Sequence, residues 1–123
     1  MTVANLTRGT LLGDRIEVAD TSMSRFLGLI PKHGLNAGEG LLIKPSSGVH
    51  MFWMRFAIDV IGLDRQMRVV RIWRNLKPWR MTSVSMKMQI ALELPVGQID
   101  AGQVELGDVL ELQETKLLDD STH

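Results

Sequence analysis

The stretch GVHMFWMRFAIDVIGLD, residues 48–64, decides which fold we expect of this chain. It places His50, Arg55 and Asp59 inside one of the most apolar runs of the sequence. Successive side chains of a strand point to opposite faces, and here both faces would be apolar. A strand of that kind lies inside a sandwich or at the floor of a cleft. The stretch therefore predicts a strand, a bend near Arg55 and a second strand.

Short runs with a period of two along the rest of the chain predict a mainly β fold. Gly13 and Asp14 suit the tight turn of a hairpin. The segment ADTSMSRFLGLI breaks the rhythm, because its apolar residues are spaced by three and four, and it predicts a helix near residues 20–29. We expect a single compact β-sandwich or partly closed β-barrel with one or two short helices, formed by residues 1–123 with a frayed tail at 115–123.

Composition narrows the class of protein. The chain has 123 residues, 45% hydrophobic and 23% charged, which is typical of one globular domain. It contains no cysteine, which excludes disulfides, thiolate catalysis and cysteine metal sites. His33, His50 and His123 are too scattered to indicate a metal centre, so we expect no metal and no cofactor. No apolar run is long enough to span a membrane, and we expect a cytoplasmic protein with no membrane partner.

Charge is unevenly distributed although the net charge is zero. Residues 65–92 contain seven Lys and Arg and no acid, whereas residues 93–123 are strongly acidic. The basic residues of segment 65–80, with Trp73 and Trp79 among them, suggest a nucleic-acid surface. However, a spacing of three alternates faces in a strand, so no single basic stripe results. Neutralisation within the fold is the preferred interpretation, and nucleic acid is not the expected partner.

Four segments, in this order, resemble a known family: ADTSMSRFLGLI, GEGLLI, HMFWMRFAIDVIGLD and ALELPVGQIDAGQVELGD. Together they resemble domain of unknown function family 192, a group of small prokaryotic proteins, over about residues 7–112. The resemblance implies a single mainly β domain, and it brings no assigned reaction, cofactor or catalytic residue. The chain departs from the family pattern at Ala57, Gly62 and Met67. We expect Gly62 to leave a space, and Met67 to avoid the left-handed backbone that glycine would supply.

Asp59 is the most informative polar residue of the opening stretch. Its neighbours are Ile58, Val60 and Ile61. An unpaired buried carboxylate costs several kcal/mol, so an arginine or a row of backbone amides should contact it. The structural interpretation is an ion pair between helix and sheet, and the functional one is a ligand-binding or catalytic carboxylate.

Candidate ligand-binding residues are therefore His50, Trp53, Arg55, Asp59 and Arg25. In the simplest structural interpretation His50 is half-buried, Trp53 belongs to the core and Asp64 begins a turn.

Three functions remain open at this point. The first is an uncharacterised small binding or accessory module that takes an unidentified small molecule or a protein. The second is an enzyme of unknown reaction that uses His50 and Asp59, and whether the chain is an enzyme stays undecided. The third is a protein or nucleic-acid interaction module that uses the basic segment 65–80.

Overall fold

The computed structural model describes residues 1–51 and 53–115, with Phe26 described by its backbone alone. Over these ranges the chain is mainly β, as the sequence predicts, with two short helices. The elements in chain order are β1 (Thr2–Asn5), β2 (Thr10–Gly13), β3 (Arg15–Ala19), α1 (Ser22–Leu27), β4 (Glu39–Ile43), β5 (Ile58–Leu63), β6 (Val69–Leu76), β7 (Ile90–Leu94), α2 (Gln98–Ala101) and β8 (Leu110–Gln113).

The strands form two sheets. The smaller has the order β2-β1-β8, and the larger has the order β3-β4-β7-β5-β6. Strands β3 and β4 are parallel, and the other paired strands are antiparallel. The described strands do not close into a barrel, so of the two expected architectures the stacked sheets are observed. Strand β7 lies at the centre of the larger sheet.

Two apolar clusters lie on opposite faces of the larger sheet. The first cluster lies between the two sheets and includes Val3 of β1, Ile61 of β5 and Leu92 of β7. The second covers the other face, where Leu29, Val49, Met51 and Met54 pack against Val60 and Ala91. The chain that follows α1 and the loop that precedes β5 therefore cover the face of the sheet that the smaller sheet leaves uncovered.

Helix α1 falls within the predicted range 20–29, and its local sequence explains why. The Thr21 hydroxyl accepts a hydrogen bond from the Ser24 amide at 3.1 Å, and the Ser24 hydroxyl accepts one from the Thr21 amide at 3.0 Å. This reciprocal capping satisfies amides that the first helical turn leaves without partners. Gly28 ends the helix with a φ of 48°, a left-handed value that glycine adopts without strain.

Only the second part of the stretch 48–64 forms a strand. This strand is β5, which is buried along its whole length. The expected strand before the bend is wrong, because the described residues between 48 and 57 form a loop with a single bridge, His50 to Met81. Trp53 adopts a φ of 68° there, which an extended strand cannot contain. The loop is held by a second loop instead: the Val49 amide donates to the Thr82 hydroxyl at 2.8 Å.

The predicted hairpin at Gly13 and Asp14 is also wrong. Strand β2 pairs with β1, whereas β3 pairs with β4 in the other sheet. The chain therefore changes sheets at this point instead of folding back on itself. A side chain at Gly13 would meet Ile16 Cδ1 at 2.7 Å and the Gly38 carbonyl oxygen at 2.9 Å, so close packing explains this glycine.

The turn after β5 confirms one prediction and corrects two. Asp64 Oδ1 accepts hydrogen bonds from the amides of Gln66 and Arg68, both at 2.9 Å, so Asp64 does begin a turn. Met67 nevertheless has a φ of 63°, so it takes the left-handed backbone that we expected it to avoid. Gly62 leaves no space, because a Cβ there would lie 2.8 Å from Met88 Sδ.

Buried Asp108 joins the β1–β2 turn to the segment before β8. Its carboxylate accepts hydrogen bonds from Asn5 Nδ2 at 3.0 Å, Arg8 Nε at 3.1 Å and the Glu105 amide at 3.0 Å. Burial alone raises the pKa of Asp108, but these hydrogen bonds and the Arg8 charge together lower it below its ordinary value. The predicted frayed tail lies outside the described residues except for Thr115, whose hydroxyl is 2.7 Å from that of Thr2. None of the described helices has the length and apolar character needed to cross a membrane.

Candidate functional site

A cavity of about 180 Å³ lies against the larger sheet on the face of the second apolar cluster. Buried apolar side chains supply much of its wall, including those of Leu29, Ile43, Val49 and Met54. Helix α1 and the chain that follows it contribute Arg25 and residues 27–30, and strands β4 and β7 contribute Ile43 and Glu93. The remaining lining residues lie in loops: Pro45, Ser46, Gly48, Val49, His50 and Met54.

Glu93 is the unusual residue of this cavity. It is the fourth of the five residues of β7, where it pairs in register with Leu41 of β4 and Val60 of β5. Only 4% of Glu93 is exposed, yet its side chain makes no hydrogen bond or ion pair with any residue in the described part of the chain. In that same part, no fully enclosed side-chain oxygen lacks a hydrogen bond. The carboxylate oxygens of Glu93 must therefore open onto the cavity.

Burial changes the acid–base behaviour of Glu93. Removal from water disfavours the charged form and raises its pKa from 4.5 to about 8. At neutral pH the group is therefore mostly a neutral carboxylic acid, which both donates and accepts hydrogen bonds. A cationic group placed beside it would restore the carboxylate form.

Arg25 provides a basic group at the same cavity. It lies in the last turn of α1 and is half-buried. Its guanidinium has no hydrogen bond or ion pair with any side chain that the structure describes, Glu93 included. A second, more open hollow of about 560 Å³ shares Arg25, Pro45, Ser46 and Gly48 with the cavity. Arg25 thus lines both the cavity and the adjoining hollow.

The cavity brings together two of the five predicted site residues, Arg25 and His50. Trp53 and Arg55 do not line it. Trp53 is 67% exposed, so its assignment to the core is wrong, and its ring packs edge-on against Trp79 with centroids 5.0 Å apart. His50 is exposed and not half-buried as expected. Arg55 is exposed and lies 2.8 Å from His33 Nε2.

Asp59 faces the other side of the sheet. Its carboxylate accepts hydrogen bonds from the backbone amides of Asn75 at 2.9 Å, Gly97 at 3.0 Å and Ile99 at 3.1 Å. Of the two expected kinds of partner, the row of amides is therefore correct and the arginine is wrong. Since Ile99 belongs to the cluster between the sheets, Asp59 cannot meet His50 across the cavity. The geometry gives no support to an acid–base pair of these two residues.

Sequence reasoning missed Glu93, although a signal for it was present. In ALELP it has Leu92 and Leu94 as neighbours, just as Asp59 has isoleucine and valine. The same argument, that a carboxylate within a buried strand requires a partner, applied to both residues. For Asp59 the fold supplies that partner from the backbone, and for Glu93 it supplies a cavity.

The basic residues of segment 65–80 are distributed along one edge of the larger sheet and the loops beside it. Strand β6, which carries Arg71 and Arg74, is the edge strand. Arg74 Nε donates to Asp100 Oδ1 at 2.8 Å, so part of the charge is neutralised by the acidic segment as expected. The whole set is exposed: Arg65, Arg68, Arg71, Arg74, Lys77 and Arg80.

Comparison with known proteins places this fold and this sequence among uncharacterised relatives. A UPF0127 protein of Pyrococcus furiosus is 37% identical over 110 residues, which cover 87% of this chain and 94% of that protein. A solved protein of unknown function from Novosphingobium aromaticivorans superposes with a TM-score of 0.77 at 23% identity and covers 90% of this chain and 82% of its own. A Sinorhizobium meliloti protein named provisionally as a transcription regulator superposes with a TM-score of 0.75 at 21% identity, over 89% of each chain.

At such identities the two solved structures show a shared fold and nothing about activity. The family evidence is more direct. The family described as "Uncharacterized ACR", domain of unknown function 192, matches residues 3–112, close to the range 7–112 that the four sequence segments indicated. The chain belongs to this uncharacterised family.

Proposed function

We propose that the protein binds a small polar molecule in the cavity between α1 and the larger sheet. Glu93 at its floor is the recognition group, and Arg25 and His50 are the other polar residues at the wall. The observation that carries this proposal is the carboxyl group of Glu93, a residue only 4% exposed, which opens onto a cavity and has no partner among the described residues.

The cost in stability of a buried group without a partner supports a binding role for Glu93. A buried ionisable group without a partner destabilises the fold, and a leucine or glutamine could fill the same place in β7. Proteins retain groups of this kind mainly where function requires them, at the expense of stability. The wall combines buried apolar side chains with a few polar groups, and small-molecule sites use polar groups of this kind to orient their ligands.

A thermal-shift screen of the purified chain tests the proposal. Because a ligand that binds only the native state raises the melting temperature, we expect a shift from one member of a panel of amino acids, monosaccharides, organic acids and nucleobases. Glu93→Gln should abolish that shift, and Glu111→Gln, which changes an exposed glutamate of β8, should retain it. A shift that Glu93→Gln leaves intact would place the binding elsewhere.

An enzyme is the second candidate, and Glu93 favours it as well. A carboxyl group with a pKa of about 8 is suited to proton transfer near neutral pH. If the protein is an enzyme, Glu93→Gln should remove turnover while substrate still binds, which separates catalysis from recognition. The pair of His50 and Asp59 is not proposed again for this role, because the two residues face opposite sides of the sheet.

A cytoplasmic location and a single-domain organisation are part of the same proposal. Cell fractionation in a prokaryotic host tests the first. Trp53, Arg55 and Asp59 do not line the cavity, and a ligand-binding role for these three residues stays a prediction.

A further inference from the structure

We propose that the ligand of this cavity is a small zwitterion, with a protonated amine at Glu93 and an anionic group, carboxylate or phosphate, at Arg25. This inference rests on the proposed function and names the class of molecule that the same site would take.

Arg25 and Glu93 line the same cavity without pairing with each other. The charged or titratable residues that line the cavity are Glu93, Arg25 and His50. Arg25 is a cation, and Glu93 is an acid that ionises only when a cationic group lies beside it, yet the two form no ion pair with each other or with another described residue. Opposite charges attract strongly where water is limited, so two groups held apart can be satisfied together by a molecule that bridges them.

The size and the wall of the cavity restrict that molecule. A volume of about 180 Å³ corresponds to about six water molecules at about 30 Å³ each. This is sufficient for an amino acid or a short aminoalkyl phosphate. The side chains of Leu29, Ile43, Val49 and Met54 are apolar, so a short hydrocarbon segment between the two charged ends of the ligand fits beside them.

Loss of the Glu93 proton on binding would indicate that the ligand carries an amine. Burial raises the pKa of Glu93 to about 8, so the group is mostly protonated at pH 7 before binding. An ammonium group favours the carboxylate form, and binding at pH 7 should therefore release close to one proton. Affinity should rise as pH increases from 6 to 8. Arg25 and His50 also face the cavity, and repeating the pH profile with His50→Gln isolates the contribution of Glu93.

Calorimetric titration of the full chain tests the ligand class. The probes are glycine, 4-aminobutanoate, 6-aminohexanoate and 2-aminoethyl phosphate, each with both charges. Butanoate lacks the amine, butylamine lacks the anionic group, and glucose lacks both. We expect at least one zwitterion to bind at least tenfold more tightly than butanoate or butylamine. Titration in two buffers of different ionisation enthalpy measures the released proton, and the preference between carboxylate and phosphate probes identifies the anionic group.

Two variants assign the two ends of the ligand. Glu93→Gln should reduce the affinity for the zwitterion at least tenfold and eliminate proton release, and Arg25→Gln should remove the preference for zwitterion over butylamine. The matched controls are Glu111→Gln and Arg71→Gln, which change exposed residues outside the cavity and should leave affinity unchanged.

Several outcomes would overturn the proposal, and they differ in what they leave standing. Butanoate that binds as tightly as 4-aminobutanoate, or affinity that survives Glu93→Gln, refutes the zwitterion. If only glucose or another neutral compound raises the melting temperature, and does so through Glu93, the cavity binds a small molecule but the ligand class is wrong. If no compound of either panel binds, both the ligand class and the proposed function fail.

Discussion

Glu93 makes the protein less stable as pH rises, and this is the first testable consequence at the scale of a residue. Its pKa is 4.5 in the unfolded chain and about 8 in the folded protein. Between these values the unfolded state loses its proton while the native state keeps it, so stability falls by about 3–5 kcal/mol as pH rises through this range. Glu93→Gln should match the parent near pH 4.5 and exceed it by about that amount at pH 8.

Urea denaturation at several pH values measures this difference, and Glu111→Gln is the control because Glu111 is exposed. A constant difference across pH would mean that Glu93 is ionised in the native state at neutral pH. That result would remove the protonation argument for an amine ligand and leave the position of Glu93 at the cavity unchanged.

Asp59 has the opposite character, because the fold satisfies it completely. Asp59→Ala should destabilise the protein by about 2–4 kcal/mol, since it leaves three backbone amides, those of Asn75, Gly97 and Ile99, without an acceptor. Thermal or urea denaturation checks the loss, and Asp100→Ala, at an exposed position of α2, should cost much less. A variant that melts like the parent would show that the three amides find other acceptors.

The sequence predicted the requirements of single residues but not the contacts that come from distant parts of the chain. The apolar neighbours of Asp59 were enough to show that it needs a partner. The identity of that partner was not predictable, because the amides come from residues 75, 97 and 99, which only the assembled sheet brings to Asp59. The prediction that Trp53 belongs to the core was also wrong. An aromatic residue in an apolar run is usually buried, but Trp53 packs on Trp79, from a distant part of the chain, at the surface.

At the scale of elements, the helix was predicted correctly from a few neighbouring residues, whereas the predictions of which strands pair were wrong. Helix α1 was found because its apolar residues are spaced by three and four, and residues such as Thr21 and Gly28 specify its ends locally. The hairpin at Gly13 was wrong because a Gly-Asp dipeptide fits a tight turn equally well when the next strand joins another sheet. The strand expected before the bend was wrong because contacts with the loop at residues 79–85 replace strand pairing there.

The capping of α1 gives a prediction at this scale. Thr21→Ala removes the acceptor for the Ser24 amide and should lower stability by about 1 kcal/mol. Because Arg25 lies in the last turn of this six-residue helix, we also expect weaker binding of any anionic ligand. Chemical denaturation and titration with the same probe measure the two effects. Ser22→Ala, at an exposed position of the same turn, is the matched control, and equal effects from both variants would show that the cap does not hold α1.

For the whole molecule, the larger sheet connects the two apolar clusters. Adjacent residues of β5 point into different clusters, Ile61 into the one between the sheets and Val60 into the one on the cavity side. Likewise Leu92 and Ala91 of β7 divide between them. Neither cluster can lose its packing without disturbing the strands that hold the other, because interiors are close-packed. The cavity is therefore built on the same sheet that stabilises the rest of the fold.

This arrangement predicts that the chain unfolds in one cooperative transition. Scanning calorimetry should give a calorimetric enthalpy equal to the van't Hoff enthalpy, the criterion for two-state behaviour. A ligand of the cavity should shift the entire transition to higher temperature and not only a part of it, because binding stabilises the unit that contains Glu93. Two resolved transitions, of which the ligand moves only one, would show instead that the cavity side of the sheet unfolds separately, and the prediction of a single domain would then be wrong.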